Sequence, residues 1–526
     1  MRRAFILDPD ATHTQASLYE WLRRREDVLI LAYLAHGCGG GAAGTDQGGK
    51  VWAGGEAASY PLDWKSLLSV DGGGYELYHR GALLEMNIIR RSDDDPHDNL
   101  TKTVGLGLAD AYAESVARTQ YVRHYLDATR LRKADIEDFA QHGCLCQVRH
   151  HDEERRRLID ALFRFDTPDV YAVKRLASLC FFLDIVAQSD DQPLYQDAFR
   201  SVLYFWSFGG QHAYQPMGNL LSPVQRWRIF QLRQYFVFAV ESFWSLFLHR
   251  VGIEALSGEE YLAWLLSELD LRELANNLDI TLPVTDARRL TLQAFYEAVR
   301  AALPPGAFES GPAALRTRLN EQALTLQIRH ERSDLNVQVR AGRALLMLAL
   351  IYWRCQLWHN GSGWIYASDR YAAGRLPIER YLRHVERAFR EDWTLARWLG
   401  WFHHRYLWLQ HRRITLEKLI SRRRETAKFE LVDDAPPGAT SNGSQGSVPR
   451  FRGTGTDSPK MNAPRFPSAL SILTDLDLIE PVQTGGYRLR PDGAALLERF
   501  RTYTVPEWTE PEDDETADNT EAATSG

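Results

Sequence analysis

Cysteine is scarce in this chain. Its 526 residues hold five, at positions 38, 144, 146, 180 and 355, too few and too unevenly spaced for a disulfide framework in a protein of this length. Reduced thiols are the expectation. Long apolar runs are missing too: the longest, Ala344 to Trp353, has ten residues, about half of the roughly 20 that carry a helix across a bilayer. Asp8 and Asp10 interrupt the short apolar stretch behind Arg2 and Arg3, so a secretory leader is not expected either. These absences point to a soluble, cytoplasmic protein of bacterial type without a membrane partner. A strong charge of one sign is also lacking through most of the chain. The formal net charge of -7 comes from the last twenty residues, which hold eight acids and no base and leave residues 1–506 at about +1.

A hydrophobic fraction of 44% and an aromatic fraction of 11% suffice to bury the cores of two to four domains. The expected class is mainly α, multi-domain, with a small mixed α/β region at the N-terminus. That region, 1–105, carries an apolar run from Val28 to Leu34, read as a strand, and a stretch from Gly37 to Glu56 in which nine of twenty residues are glycine. The stretch is expected to be a mobile surface loop without helix or strand. From 106 to 303 apolar residues recur at helical spacing, as in Leu158, Leu162 and Phe165, and in Phe236, Val240 and Phe243. Pro304-Pro305-Gly306 closes this domain. A second helical block, 313–432, carries Leu345, Leu348, Ile351 and Cys355 on one face. Pro223 and Pro377 mark helix starts. Residues 433–464 are rich in Gly, Ser, Thr, Pro and Asn and read as a flexible linker or insert, and 504–526 as a disordered acidic tail.

Between these lies a more legible segment, 465–503. Leu470, Leu473 and Leu476 predict a short amphipathic helix, Leu478–Pro481 and Tyr487–Leu489 two strands turned at Gly485-Gly486, and Pro491 the start of a last helix through Leu496, Leu497 and Phe500. This order, written SALSILTDLDLIEPVQTGGYRLRPDGAALLERF, resembles the second half of winged-helix domains over some 40 residues. The resemblance implies a module that binds DNA or joins proteins, with the helix ending near Arg424 and the strand-like Ala427–Val432 as its first half.

Several groups of residues carry candidate chemistry. Nine bases stand against two acids between Arg397 and Lys428, and an apolar stripe from Leu399 to Ile420 turns most of them toward water, where phosphates are natural partners. Arg405, Arg412, Arg413, Arg422, Arg423 and Arg424 are the candidates there; the alternative is a solvated face partly neutralised by the acidic tail. In the C-terminal module Arg465 could read a guanine and Arg488 and Arg490 could hold phosphate, whereas Ser468, Ser471, Thr474 and Asp475 make a poor reading face. His142, Cys144, Cys146, His150 and His151 place five weak metal-ligand candidates within ten residues. Their Cys-x-Cys spacing is not the usual zinc turn and no second pair lies nearby in sequence, so packed cysteines, no metal and no cofactor are expected. Gly44 to Lys50 matches a phosphate-binding loop except that Val51 replaces the metal-binding Ser or Thr, a chance match in a glycine-rich stretch. Arg118 with His124, and Arg405 with His411, show a spacing that resembles the Arg and His pair of HEPN-type ribonucleases, but so many arginines and histidines supply such pairs by chance. Asp93, Asp94, Asp95, His97 and Asp98 read as an exposed turn.

No catalytic constellation emerges. The expectation is a non-enzymatic, nucleic-acid-associated or assembly subunit of a multi-component bacterial system, of which phage defence and mobile-element control are examples, with protein partners. The alternatives are a pure protein-interaction scaffold and a metal-dependent hydrolase or nuclease built on 142–151.

Overall fold

The computed structural model describes residues 15–38, 44–54, 59–62, 64, 74–91, 98–167, 169–359, 377–420, 428–432, 450–462 and 465–504. Helices dominate, in line with a mainly α class, and among the described residues the strands form five two-stranded ladders. The chain divides into two compact units. One comprises 1–191, 217–220 and 467–526, the other 192–216 and 221–466.

The first unit is built around α1, Gln15–Ala35. Val28–Leu34 therefore belongs to a helix, not to a strand: Val28, Leu31 and Ala32 are buried on one face at three- and four-residue spacing, and the apolar neighbours between them had masked that period. Helix α2, Thr45–Ala53, corrects the expectation of a glycine loop. Gly44 caps it at a φ of 86°, and a Cβ on Gly48 would sit 2.5 Å from the Ile30 side chain. The glycine that weakens α2 intrinsically, by about 1 kcal/mol relative to alanine, is what lets it lie against α1. Lys50 falls inside this helix, so Gly44–Lys50 forms no phosphate-cradling loop. Next come β1 (Ser59–Pro61), α3 (Gly105–Val116), α4 (Gln120–His124), β2 (Arg130–Arg132), α5 (Lys133–Gly143), α6 (Asp152–Leu162) and α7 (Val170–Gln188). β1 pairs antiparallel with β2, Tyr60 opposite Leu131. Val28, Leu31, Ala32, Ile136, Phe139 and Ala140 join α1 to α5 in one core.

In the second unit α8 (Gln196–Phe205) leads to α9, Leu221–Ile253, a 33-residue helix with Pro223 in its first turn. By length and composition this helix is long and apolar enough to cross a membrane; charged residues such as Arg226, Arg228 and Arg233 break its apolar run and hid it from a count of uninterrupted residues. Its buried side chains pack in the core of the unit. Beyond α10 (Gly258–Glu268), α11 (Leu292–Ala301) and α12 (Glu321–His330), helix α13, Arg343–His359, packs against α9. Leu345, Leu348, Ile351 and Cys355 are fully buried, but so are Leu346, Met347 and Leu350. An apolar surface on all sides marks a central helix. α14 (Ile378–Arg390), α15 (Leu395–Phe402), a π-helical turn at His403–Trp408 and α16 (Leu409–Ile420) follow. β3, Phe429–Val432, pairs with β4, Arg450–Gly453, where Phe429 and Phe451 meet edge to face.

Two expectations change here. The linker expected over 433–464 contains β4, while 433–449 lies outside the described residues. Phe429–Val432 takes β4 as its partner and belongs to the second unit, whereas the chain from Pro467 on belongs to the first.

There α17 (Phe466–Asp475), β5 (Ile479–Pro481), β6 (Tyr487–Leu489) and α18 (Pro491–Arg501) give the helix, hairpin, helix order. Leu470, Leu473 and Leu476 are buried, and Gly485 turns the hairpin at a φ of 81°. A side chain at Gly493 would strike the Leu478 carbonyl, so α18 packs on the hairpin at backbone distance. The tail from residue 505 lies outside the described residues.

Candidate metal centre

Helix α1 ends in a Schellman motif. Gly37 sits at a φ of 69°, its N–H donates to the Leu34 carbonyl and the Cys38 N–H donates to the Tyr33 carbonyl, the paired closure that a left-handed glycine permits. His36 and Cys38 thereby flank a fixed turn. Helix α5 ends at Gly143, and Cys144 leads into a 3-10 turn over Leu145–His150. The two helix ends meet.

Their side chains form a four-membered cluster of His36, Cys38, Cys144 and Cys146, all ligand atoms within 4.8 Å of one another. Cys38 Sγ lies 3.5 Å from Cys144 Sγ and 3.3 Å from Cys146 Sγ, and Cys144 and Cys146 are 3.5 Å apart. His36 Nδ1 lies 3.1 Å from Cys146 Sγ and 3.9 Å from Cys38 Sγ. Disulfide bonds are about 2.05 Å long, so these thiols are free. A tetrahedral zinc ion with bonds of about 2.3 Å to sulfur and 2.0 Å to nitrogen needs edges of roughly 3.5–3.8 Å. The observed edges scatter around that range, so small side-chain rotations bring all four ligands onto one ion.

The surroundings suit a metal. The Gln147 amide nitrogen lies 3.3 Å from His36 Nε2, and turning the carboxamide over would bring its oxygen to accept the proton that a metal-bound Nδ1 leaves on that nitrogen. Burial pushes the Cys38 and Cys144 thiols above their ordinary range, so three thiolates this close would form only around a cation. Zinc with three thiolates and one imidazole carries a net charge of about -1. Arg149, whose Nε donates to the Cys146 carbonyl at 3.2 Å, stands beside it. Arg149 also reaches Asp475 of α17 at 3.2 Å, and Arg155 reaches Asp477 at 3.0 Å.

Of the five sequence candidates, only Cys144 and Cys146 enter the cluster. His142 and His150 are exposed, and His151 Nε2 lies 3.2 Å from the His142 carbonyl, outside it. His36 and Cys38 were missed because they lie more than 100 residues away in sequence. The signal that could have found them is that both halves are ligand-x-Cys pairs, His36-Gly37-Cys38 and Cys144-Leu145-Cys146.

The basic candidates divide. Arg412 and Arg413 are exposed on α16 and Arg405 is half-buried in the π-helical turn, while Arg422, Arg423 and Arg424 lie outside the described residues. The helix start expected at Pro377 is that of α14, whose bases sequence reading did not count among the candidates. His384 of α14, whose Nδ1 lies 2.9 Å from the Tyr406 hydroxyl of the π-helical turn, is driven down to about 4 by burial and then by the guanidinium groups of Arg405 in that turn and of Arg380, Arg383 and Arg387 on its own helix. Arg383 and Arg387 are exposed and pair within α14's own segment with Glu379 and Glu391. In the C-terminal module Arg465 is exposed, Arg488 pairs with Asp191, and Arg490 pairs with Asp477 at 3.0 Å and Glu480 at 3.2 Å. His411 lies on α16 against the Trp244 and Phe429 rings. Asp98, expected in an exposed turn, is buried and takes Arg80 and Tyr75 as partners; 92–97 lie outside the described residues. No protein-family model, curated protein or solved structure matches the chain.

Proposed function

We propose that the chain is a zinc-structured, non-enzymatic subunit that associates with nucleic acid, with its second unit presenting the phosphate-binding face. The charges of Arg380, Arg383, Arg387 and Arg405 acting on His384, with Arg412 and Arg413 exposed one element further on, carry the binding reading. Their like charges repel one another, and Glu379 and Glu391, the partners of Arg383 and Arg387, form surface ion pairs that contribute little. A polyphosphate displaces such pairs and gains counterion entropy. A zinc ion on this cluster would argue against the hydrolase alternative. Catalytic zinc keeps one position open for water, whereas three cysteines and a histidine fill all four.

The test is duplex and single-stranded DNA binding across a salt series. Three to five phosphate contacts give a slope of log affinity against log salt of roughly -3 to -5. Changing Arg383 and Arg412 to Glu should weaken binding to every sequence alike, because these side chains position rather than read. If the folded, zinc-loaded protein ignores both DNA forms at low salt, the scaffold reading replaces this one. The C-terminal module favours that second reading for its own part. Its resemblance to a winged helix stands beside arginines already paired within the first unit, Arg488 to Asp191 and Arg490 to Asp477, so we read it as a module that joins protein to protein.

A further inference from the structure

Helix α17 closes as α1 does, but without glycine. The Leu478 N–H donates to the Leu473 carbonyl at 2.9 Å and the Asp477 N–H to the Thr474 carbonyl at 3.0 Å, the paired bonds of a Schellman motif. The left-handed position, held by Gly37 at the end of α1, is held here by Asp477 at a φ of 59°. Aspartate tolerates this conformation better than most residues, and its carboxylate takes two guanidinium groups, Arg155 at 3.0 Å and Arg490 at 3.0 Å. Asp475, the last residue of α17, accepts from Arg149 at 3.2 Å.

Arg149 and Arg155 both come from the chain just beyond the metal cluster. Arg149 lies in the 3-10 turn Leu145–His150, and its Nε donates to the carbonyl of the ligand residue Cys146 at 3.2 Å. Arg155 stands near the start of α6, where its N–H donates to the His151 carbonyl at 2.9 Å. A 3-10 turn holds its shape weakly, because its hydrogen bonds are poorly aligned. Val148 is its one buried residue, and Leu145 is 64% exposed. The firm point of this turn is therefore its beginning, where Cys144 and Cys146 meet His36 and Cys38. The later elements of the C-terminal module are held by residues outside the turn: β6 and α18 pack on α7, Tyr503 meets Phe165 edge to face at 5.4 Å between ring centres, and Arg488 pairs with Asp191.

We propose that zinc in the cluster, the metal reading on which this inference rests, is a latch for the end of α17. With zinc bound, the 3-10 turn is fixed and sets Arg149 and Arg155 against Asp475 and Asp477. Without it the turn loosens, and α17 opens at its C-terminal end while α18 stays on α7. Zinc occupancy thereby sets how firmly the module read above as joining protein to protein is held. Each ion pair is partly exposed and weak by itself, so the latch is graded, changing the opening of α17 about tenfold rather than releasing it outright.

Amide hydrogen exchange of the full-length protein, read by mass spectrometry with zinc loaded and after removal by a chelator, tests this. Without zinc, peptides covering 470–478 should exchange about tenfold faster, those covering 493–500 should be unchanged, and added zinc should restore the first group. In zinc-loaded protein Arg149→Met and Asp477→Asn should each quicken 470–478 severalfold while the metal is retained. Should the stripped protein unfold as a whole, His36→Ala, which leaves three thiolates and a weaker site, replaces stripping, and exchange at 470–478 should follow zinc occupancy across a titration. The proposal is overturned if exchange at 470–478 ignores metal occupancy, or if both variants exchange as wild type does. A chain that takes up no zinc is recognised by metal analysis before any exchange is measured, and sinks the metal centre along with the latch.

Discussion

Replacing Cys144 and Cys146 with serine removes two of four ligands and should strip the protein of one equivalent of zinc. The stability effect follows from what the ion cross-links. Cys38 and Cys144 stand 106 residues apart, and a cross-link closing a loop of that size removes unfolded-state entropy worth about 4–5 kcal/mol in the chain-entropy treatment. Metal–ligand bonding adds to this: structural zinc in small domains contributes of the order of 10 kcal/mol at neutral pH. Part of that is spent ordering the ligands, and the loop figure is the safer lower estimate. A folded unit of roughly 250 residues loses about 2–4 °C of melting temperature per kcal/mol, so the double variant should melt about 10–15 °C lower. Metal analysis after gel filtration and differential scanning fluorimetry read the two quantities. Substituting His142 and His151 with alanine should change neither, whereas His36→Ala should lower both. The reasoning is refuted if the wild-type protein purifies without stoichiometric metal from zinc-supplemented medium, or if the double cysteine variant retains its equivalent and its melting point.

Gly37→Ala forces a left-handed backbone on a residue with a Cβ, at a cost of about 1–2 kcal/mol; because the turn it distorts carries two ligands, zinc should pass to a competing chelator faster than from wild type. His403 is buried with its Nδ1 at 2.7 Å from the Leu399 carbonyl and is held down to about 4 by burial, so below pH 6.5 the unfolded chain takes up a proton that the folded one refuses, and stability is lost as pH falls from 6.5 toward 4. At pH 5 the loss is about 2 kcal/mol relative to pH 8, and urea unfolding followed by tryptophan fluorescence should show it shrink in His403→Gln; an unchanged pH slope would count against the assignment.

Much of the fold could be read from residue order alone where burial is one-sided. The C-terminal helix, hairpin and helix were legible because Leu470, Leu473 and Leu476 alternate with polar residues at helical spacing and Gly485 supplies a conformation that the turn requires. Where burial is all-round, the period vanishes. Val28–Leu34 looks like a strand because nearly every residue is apolar, and the charges along α9 hid a continuous core helix. The helix at Thr45–Ala53 contradicts its own composition, since packing of Gly48 against Ile30 outweighs propensity. The cluster was half legible: Cys144 and Cys146 stood among the weak ligand candidates, though packed cysteines without a metal were expected, and pairing them with His36 and Cys38 requires knowing that α1 and α5 end at the same point. Long-range contact of this kind leaves no periodic trace.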